Sequence, residues 1–298
     1  STLAMLIMFV LGAAFAQSNI SVNYLGNNNT MVKFKANQKY LLMPIEESAP
    51  EAQISVLING EIMQQMNVRL AQGKKDYLVP LDLKAWQGKD IVLNIRTAND
   101  RSNVRDSRAD VCWKQMELSN TFDAKNVEKF RPAYHHTPLY GWMNDPNGMF
   151  YKDGVWHLYY QFNPYASVWG NMTWGHSSST DLIHWKAEAP AIYGDGLGTI
   201  FSGSSVVDKD NTSGFGSGAI VAIYTSAGMT QQQSMAYSTD NGLTFTKYSG
   251  NPIIMSDQEC RDDKVIWNEQ TNKWNLVMVA ALEHQVLFYS SDDLKHWT

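Results

Sequence analysis

Between residues 18 and 120, apolar and polar positions alternate in short runs. Met31-Val32-Lys33-Phe34-Lys35, Ala52-Gln53-Ile54-Ser55-Val56-Leu57-Ile58 and Ile91-Val92-Leu93-Asn94-Ile95-Arg96 carry apolar side chains at nearly every second position. That is the period of a strand with one buried face. Clusters of turn residues separate the runs, and Asn59-Gly60, directly after the second, predicts a tight hairpin. No stretch shows a sustained helical period. The pattern predicts an all-β module of roughly 100 residues, a sandwich, in which no carboxylate pair or metal-ligand cluster stands out. Packing support and glycan contact both remain open as its role. Residues 121–131 are polar and carry no period, and the module is bounded at 17–125.

From residue 126 to 298 the chain repeats itself. Ser179-Thr180-Asp181-Leu182-Ile183-His184-Trp185 recurs as Ser238-Thr239-Asp240-Asn241-Gly242-Leu243-Thr244-Phe245, and again as Ser290-Ser291-Asp292-Asp293-Leu294-Lys295-His296-Trp297. We align Asp181 with Asp240 and Asp292. Each copy follows strand-like runs such as Trp156–Phe162 and Trp274–Val279. A unit of roughly 50–60 residues with several strands and an aromatic marker predicts the blades of a β-propeller. Polar groups from different blades then converge on a central funnel.

Composition adds limits. Of 298 residues, 44% are hydrophobic and 18% charged, which predicts a packed core. The net charge of -5 and the absence of any basic run argue against a nucleic-acid partner. The 10 Trp and 14 Tyr suit sugar stacking and sheet cores equally well. An apolar run from Leu3 to Phe15 ends in Ala14-Phe15-Ala16, a small-x-small cleavage site. We read residues 1–16 as part of a secretory signal, too short to span a bilayer in the mature protein, and expect a secreted or periplasmic location. The two cysteines, Cys112 and Cys260, show no metal spacing; we expect two thiols rather than a disulfide.

The densest chemical signal is Trp142-Met143-Asn144-Asp145-Pro146-Asn147-Gly148. Pro146 restricts the backbone on both sides, and Asn147-Gly148 is a turn signal. We therefore expect Asp145 in a rigid turn. A second carboxylate lies in Glu259-Cys260-Arg261-Asp262-Asp263, which opens the third repeat as Asp145 opens the first. Two carboxylates facing one sugar suit cleavage through an oxocarbenium-like transition state. Gln161 and Asn163 offer amides for vicinal hydroxyls, and Trp169 and Trp174 offer flat stacking faces.

These segments, with Tyr160-Gln161-Phe162-Asn163-Pro164, Trp169-Gly170, Trp174-Gly175-His176, Phe201-Ser202-Gly203-Ser204 and Arg261-Asp262, resemble glycoside hydrolase family 32, the invertase, inulinase and levanase group. Order and rough spacing match from Arg131 to Thr298. More loosely, the preceding module resembles the N-terminal sandwich of fructan hydrolases from gut Bacteroidetes. The resemblance implies the first three blades of a five-bladed propeller and a retaining hydrolase of β-fructofuranosides in fructans (levan or inulin) or sucrose. It implies Asp145 as nucleophile and Asp262 as transition-state stabiliser. Asn144, Gln161, Trp169, Phe201, Ser202 and Arg261 would line the fructose subsite. No metal or organic cofactor is implied.

Three departures accompany it. Asp263 stands where the family has proline, and would raise the pKa of Asp262 if both are buried. The lead-in reads His135-His136-Thr137-Pro138. The family's acid, a Glu in a Glu-Cys motif, is expected past Thr298, so we read the chain as cut short and Glu259-Cys260 as a lookalike. Fructosyl transfer, or sugar binding without catalysis, are the alternatives.

Overall fold

The computed structural model describes residues 19–97, 106–124, 131–256 and 259–298. The signal expected in residues 1–16 lies outside them. The first eight strands are β1 Ser21–Gly26, β2 Asn29–Lys35, β3 Tyr40–Ile45, β4 Ala52–Ile58, β5 Glu61–Val68, β6 Tyr77–Asp82, β7 Asp90–Arg96 and β8 Glu117–Ser119. They form a five-stranded sheet in the order β1-β2-β7-β4-β5 and a three-stranded sheet in the order β6-β3-β8. Alternation accounts for the packing. Val32 and Phe34, Ile54 and Val56, and Ile91, Leu93 and Ile95 meet Leu41, Met43, Ile45, Val79 and Leu81 in one buried cluster. The expected hairpin joins β4 to β5, with Asn59 and Gly60 both at positive φ (52° and 86°), the geometry that matches strand twist.

Three further sheets follow. The first blade is β9 Trp142–Lys152, β10 Val155–Asn163, β11 Thr173–Ser179 and β12 Lys186–Ala187. The second is β13 Thr199–Asp208, β14 Ala219–Ala227, β15 Gln231–Ser238 and β16 Thr246–Lys247. The third, among the described residues, is β17 Cys260–Asn268, β18 Lys273–Ala280 and β19 Gln285–Ser291. All pairings within the blades are antiparallel. The innermost strands β9, β13 and β17 pack side by side. One apolar cluster joins the first two blades around Tyr159, Trp174, Ile220 and Tyr224. Another joins the second and third around Val221, Met235, Leu276 and Met278.

The repeated segment is a turn built by an aspartate. Asp181 accepts from the backbone N–H groups of Ile183 and His184 and from Ser179 Oγ. Asp240 does the same with Thr244 and Ser238. In the third blade the role falls to Asp293, bonded by Ser291, Lys295 and His296, and not to Asp292. The correct alignment pairs Ser179 with Ser291. The doubled serine and doubled aspartate made two registers look equivalent. These turns hold their carboxylates ionised: the Asp181 carboxyl falls well below the usual range, first through the His184 side chain, and that of Asp293 falls to about 2, its backbone and His296 bonds outweighing partial burial.

Cys112 and Cys260 are buried in the cores of different domains and form no disulfide. No helix among the described residues is long and apolar enough to cross a membrane.

Candidate active site

The same irregularity interrupts all three inner strands near their N-terminal ends. In β9, Met143 pairs with Phe162 and Pro146 with Tyr160, so Asn144 and Asp145 stand opposite Gln161 alone. In β13, Ile200 pairs with Ser226 and Gly203 with Tyr224, so Phe201 and Ser202 stand opposite Thr225. In β17, Arg261 pairs with Val279 and Lys264 with Val277, so Asp262 and Asp263 stand opposite Met278. Two residues against one is a β-bulge, which bends the strand and re-aims its side chains.

Asp145 thus sits in a bulged strand and not in the expected turn. The turn residues have other uses. Because β9 is the edge of its sheet, Pro146 can occupy it although it lacks an N–H. Gly148 has φ of 57°, and a Cβ there would come within 2.7 Å of the Trp174 ring. It is the close approach of Trp174 that requires glycine.

The bulges open on one cavity of about 150 Å³ lined by Asn144, Asp145, Gln161, Trp169, Phe201, Ser202, Arg261 and Asp262. These are the eight residues that the family resemblance implied for the site. The volume is well below the ~300–1,000 Å³ of pockets for drug-sized ligands and suits a single sugar ring. Ser202 Oγ donates to Asp145 Oδ2 at 3.1 Å, linking the first two blades. Trp142 Nε1 donates to Asn144 Oδ1 at 3.0 Å and fixes that amide. Gln161 is 2% exposed and its Nε2 has no protein partner. An unpaired buried donor costs about 1–3 kcal/mol, which a ligand oxygen recovers.

The electrostatics of the two cavity carboxylates differ. Partial burial raises the pKa of Asp262; Arg261 opposes the shift and Asp145 adds to it. Arg261 Nε lies 4.0 Å from Asp262 Oδ2, while its Nη1 donates to Gln231 Oε1 and Glu259 Oε2, both at 3.0 Å. Gln231, which nothing in its sequence context marks, therefore holds Arg261 in place. Glu259 is a partner of Arg261 and does not line the cavity, nor does any other glutamate among the described residues.

Asp263 turns the other way. It is 3% exposed, buried between the second and third blades, where Ser204 Oγ donates to its Oδ2 at 3.1 Å and Val265 N–H donates to Ser204 Oγ at 2.9 Å. Burial pushes its pKa well above the usual carboxylate range, so it holds its proton to higher pH than an exposed aspartate does. The expected like-charge repulsion does not drive the shift of Asp262, which comes from burial first, with Arg261 opposing and Asp145 adding.

Two expected sugar contacts are structural instead. Trp174 is fully buried; it packs between Tyr159 and Tyr224 and donates from Nε1 to Phe201 O at 3.0 Å. It anchors the second blade's bulge from behind. Asn163 is buried and donates to Val168 O at 2.9 Å, shaping the loop that follows. In the same motif His176 is held neutral, its pKa lowered to about 3 first by burial and then by His157. Among the described residues no group of three or more His, Cys, Asp or Glu could hold a metal ion.

The family model described as the glycosyl hydrolases family 32 N-terminal domain matches residues 135–298. The chain belongs to glycoside hydrolase family 32. Residues 26–134 match a domain of unknown function, DUF4980. Among curated relatives of this family 32 chain, a levanase of Bacillus subtilis is 52% identical over 177 residues, 57% of this chain and 26% of the relative. An extracellular exo-inulinase of Meyerozyma guilliermondii is 46% identical over 190 residues, 58% of this chain and 36% of the relative. The structure of a β-fructofuranosidase from Schwanniomyces occidentalis complexed with fructosyl-erythritol aligns with a TM-score of 0.54 at 46% identity, covering 56% of this chain and 35% of that one. The chain thus spans between 26% and 36% of the length of these relatives.

Proposed function

We propose that this chain carries the fructose-binding half-site of a retaining β-fructofuranosidase acting on fructans or sucrose. The observation that carries the reading is the convergence of Asp145, Asp262 and the unsatisfied Gln161 amide on one sugar-sized cavity. The names of the relatives, levanase, extracellular exo-inulinase and β-fructofuranosidase, support it.

In this reading Asp145 attacks the anomeric carbon of a bound fructosyl unit. The C–O bond to the leaving group breaks, and an ester joins fructose to Asp145 Oδ1 while Ser202 steadies Oδ2. Asp262 and Arg261 bind ring hydroxyls, and the Asp262 carboxylate offsets the positive charge that develops on the ring. Asn144 and Gln161 orient the sugar, and Trp169 covers one face. Water then cleaves the ester, and two inversions give overall retention. The proton for the leaving oxygen comes from a group outside the described cavity lining. The apolar run before Ala16 and the extracellular relative support a secreted or periplasmic site of action.

Replacing Asp145 with Asn in the whole protein is expected to lower kcat about 10⁴-fold or more without changing the thermal unfolding midpoint. Turnover close to the parent's would refute the nucleophile.

A further inference from the structure

Trp169 is 57% exposed and lies outside the blade ladders, in the loop between β10 and β11. Its ring meets Phe201 edge-on at 6.1 Å, which leaves its position to the loop. That loop is fastened to the N-terminal sandwich at three points. Asn67 N–H donates to Asn171 Oδ1 at 2.7 Å, and Asn171 Nδ2 returns a bond to Asn67 O at 2.8 Å. Gln64 Nε2 donates to the Tyr165 hydroxyl at 2.7 Å, both residues being buried. Ser167 Oγ donates to Glu47 Oε1 at 2.6 Å. Tyr165 belongs to the sandwich's own apolar cluster.

The fastening is stiff on both sides. Within the loop, Asn163 Oδ1 accepts from Tyr165 N–H at 3.0 Å and from Asn171 Nδ2 at 3.2 Å. On the sandwich side, Glu47 is held by the Tyr77 hydroxyl and by Arg69 at 3.5 Å. β5 is an edge strand, and the Asn171 carboxamide pairs with the Asn67 peptide as a neighbouring strand would. It thereby caps an edge that would otherwise be open to association. Asn171 has φ of 45°, in a region that asparagine tolerates better than most residues.

We infer that the sandwich is a positioning element of the sugar pocket: β5, through Asn171 and Tyr165, and Glu47, through Ser167, clamp the 163–171 loop and so fix Trp169 against the bound ring. Asn171 is a positioning residue that acts on the ligand through Trp169. A ring face displaced by a fraction of an ångström loses its contact with the sugar. Holding it from a second domain supplies rigidity that a nine-residue loop lacks by itself. The inference rests on the fructoside reading only for what fills the pocket.

The test compares Asn171→Gly, Trp169→Ala and the double variant in the whole protein, with sucrose for kinetics and fructose for binding. Glycine keeps the left-handed backbone and removes both bonds to Asn67. Asn171→Gly is expected to raise KM and the fructose Kd about tenfold, the loss expected from roughly two neutral hydrogen bonds that only partly reach the ligand, with kcat within twofold. On the Trp169→Ala background the same change is expected to have no further effect, because coupled residues are not additive. The ¹⁹F resonance of Trp169 in 5-fluorotryptophan-labelled protein is expected to shift in Asn171→Gly, and this holds whatever sugar the pocket takes. Unchanged KM and an unmoved resonance, or full additivity with Trp169→Ala, would overturn the inference. If Asn171→Gly unfolds, Ser167→Ala, at an exposed bond, decides: a KM increase of about twofold to threefold supports the clamp, and none removes it. Failure of sucrose and fructose to act as substrate and ligand, with the resonance still shifted, would sink the fructoside reading and leave the clamp standing.

Discussion

In the first blade the bulge opposite Gln161 sends both of its residues, Asn144 and Asp145, to the cavity. In the third, the bulge opposite Met278 sends Asp262 to the cavity and Asp263 into the seam between blades. The two carboxylates that meet across the pocket therefore occupy different places in equivalent bulges, second in one and first in the other. Their surroundings differ in the same way. Both are exposed, but Asp145 receives a hydroxyl bond from the next blade, whereas Asp262 has its arginine at 4.0 Å and stands in the left-handed region at φ of 61°. One backbone device thus presents the proposed nucleophile in one blade and, in another, a carboxylate whose pKa is raised.

The largest expected effect that sharpens this contrast is at Asp262. Asp262→Asn is expected to lower kcat about 10²–10³-fold, the size of losing one electrostatic partner of the transition state. That is less than the loss at Asp145, and single-turnover kinetics would detect residual ester formation. Equal losses at the two positions would break the division of labour. Next in size is Ser202→Ala. It removes the charge-assisted bond to Asp145 and is expected to lower kcat/KM about tenfold to a hundredfold, with little change in the unfolding midpoint.

Arg261→Gln acts on the pH profile. Arg261 lowers a pKa that burial raises. Without it the carboxyl of Asp262 protonates at higher pH, so the acid limb of kcat/KM is expected to move upward. A shift downward would mean that the limb belongs to another group.

The smallest effect is on stability alone, at Asp263. Its folded-state pKa lies above the ordinary value near 3.9. The folded protein therefore holds that proton more tightly than the unfolded chain does. The stabilisation is complete below about pH 4 and drains away as pH rises through the folded-state pKa. Asp263→Asn, which has no proton to lose, is expected to unfold at a progressively higher temperature than the parent from about pH 4 upward. Thermal melts at a series of pH values would show the gap, and a constant gap would contradict a raised pKa at Asp263.

Much of this was legible in the sequence and some was not, for definable reasons. Alternation at Met31–Lys35 and Ile91–Arg96 and the Asn59-Gly60 pair revealed the sandwich, since strand period and hairpin geometry are local properties. The eight cavity residues were also legible, because they lie in short motifs of recognisable order. The bulges were not. Register belongs to a pair of strands, so Pro146-Asn147-Gly148 read as a turn although its demands come from an edge position and from Trp174. Trp174 itself read as a stacking face; burial depends on what lies above it, here Tyr224 from another blade. Asp292 and Asp293 were indistinguishable without the bonds each makes. The Asn67–Asn171 contact joins positions 104 residues apart and leaves no trace in the local pattern.

The bulges carry one more consequence. Five of the pocket side chains, those of Asn144, Asp145, Phe201, Ser202 and Asp262, stand where the ladder is already interrupted, so exchanging them disturbs no regular pairing between strands. Framework and chemistry can therefore mutate on separate terms. A lineage can retune these three mouths for another sugar, or lose a carboxylate altogether, while every blade keeps its zipper closed.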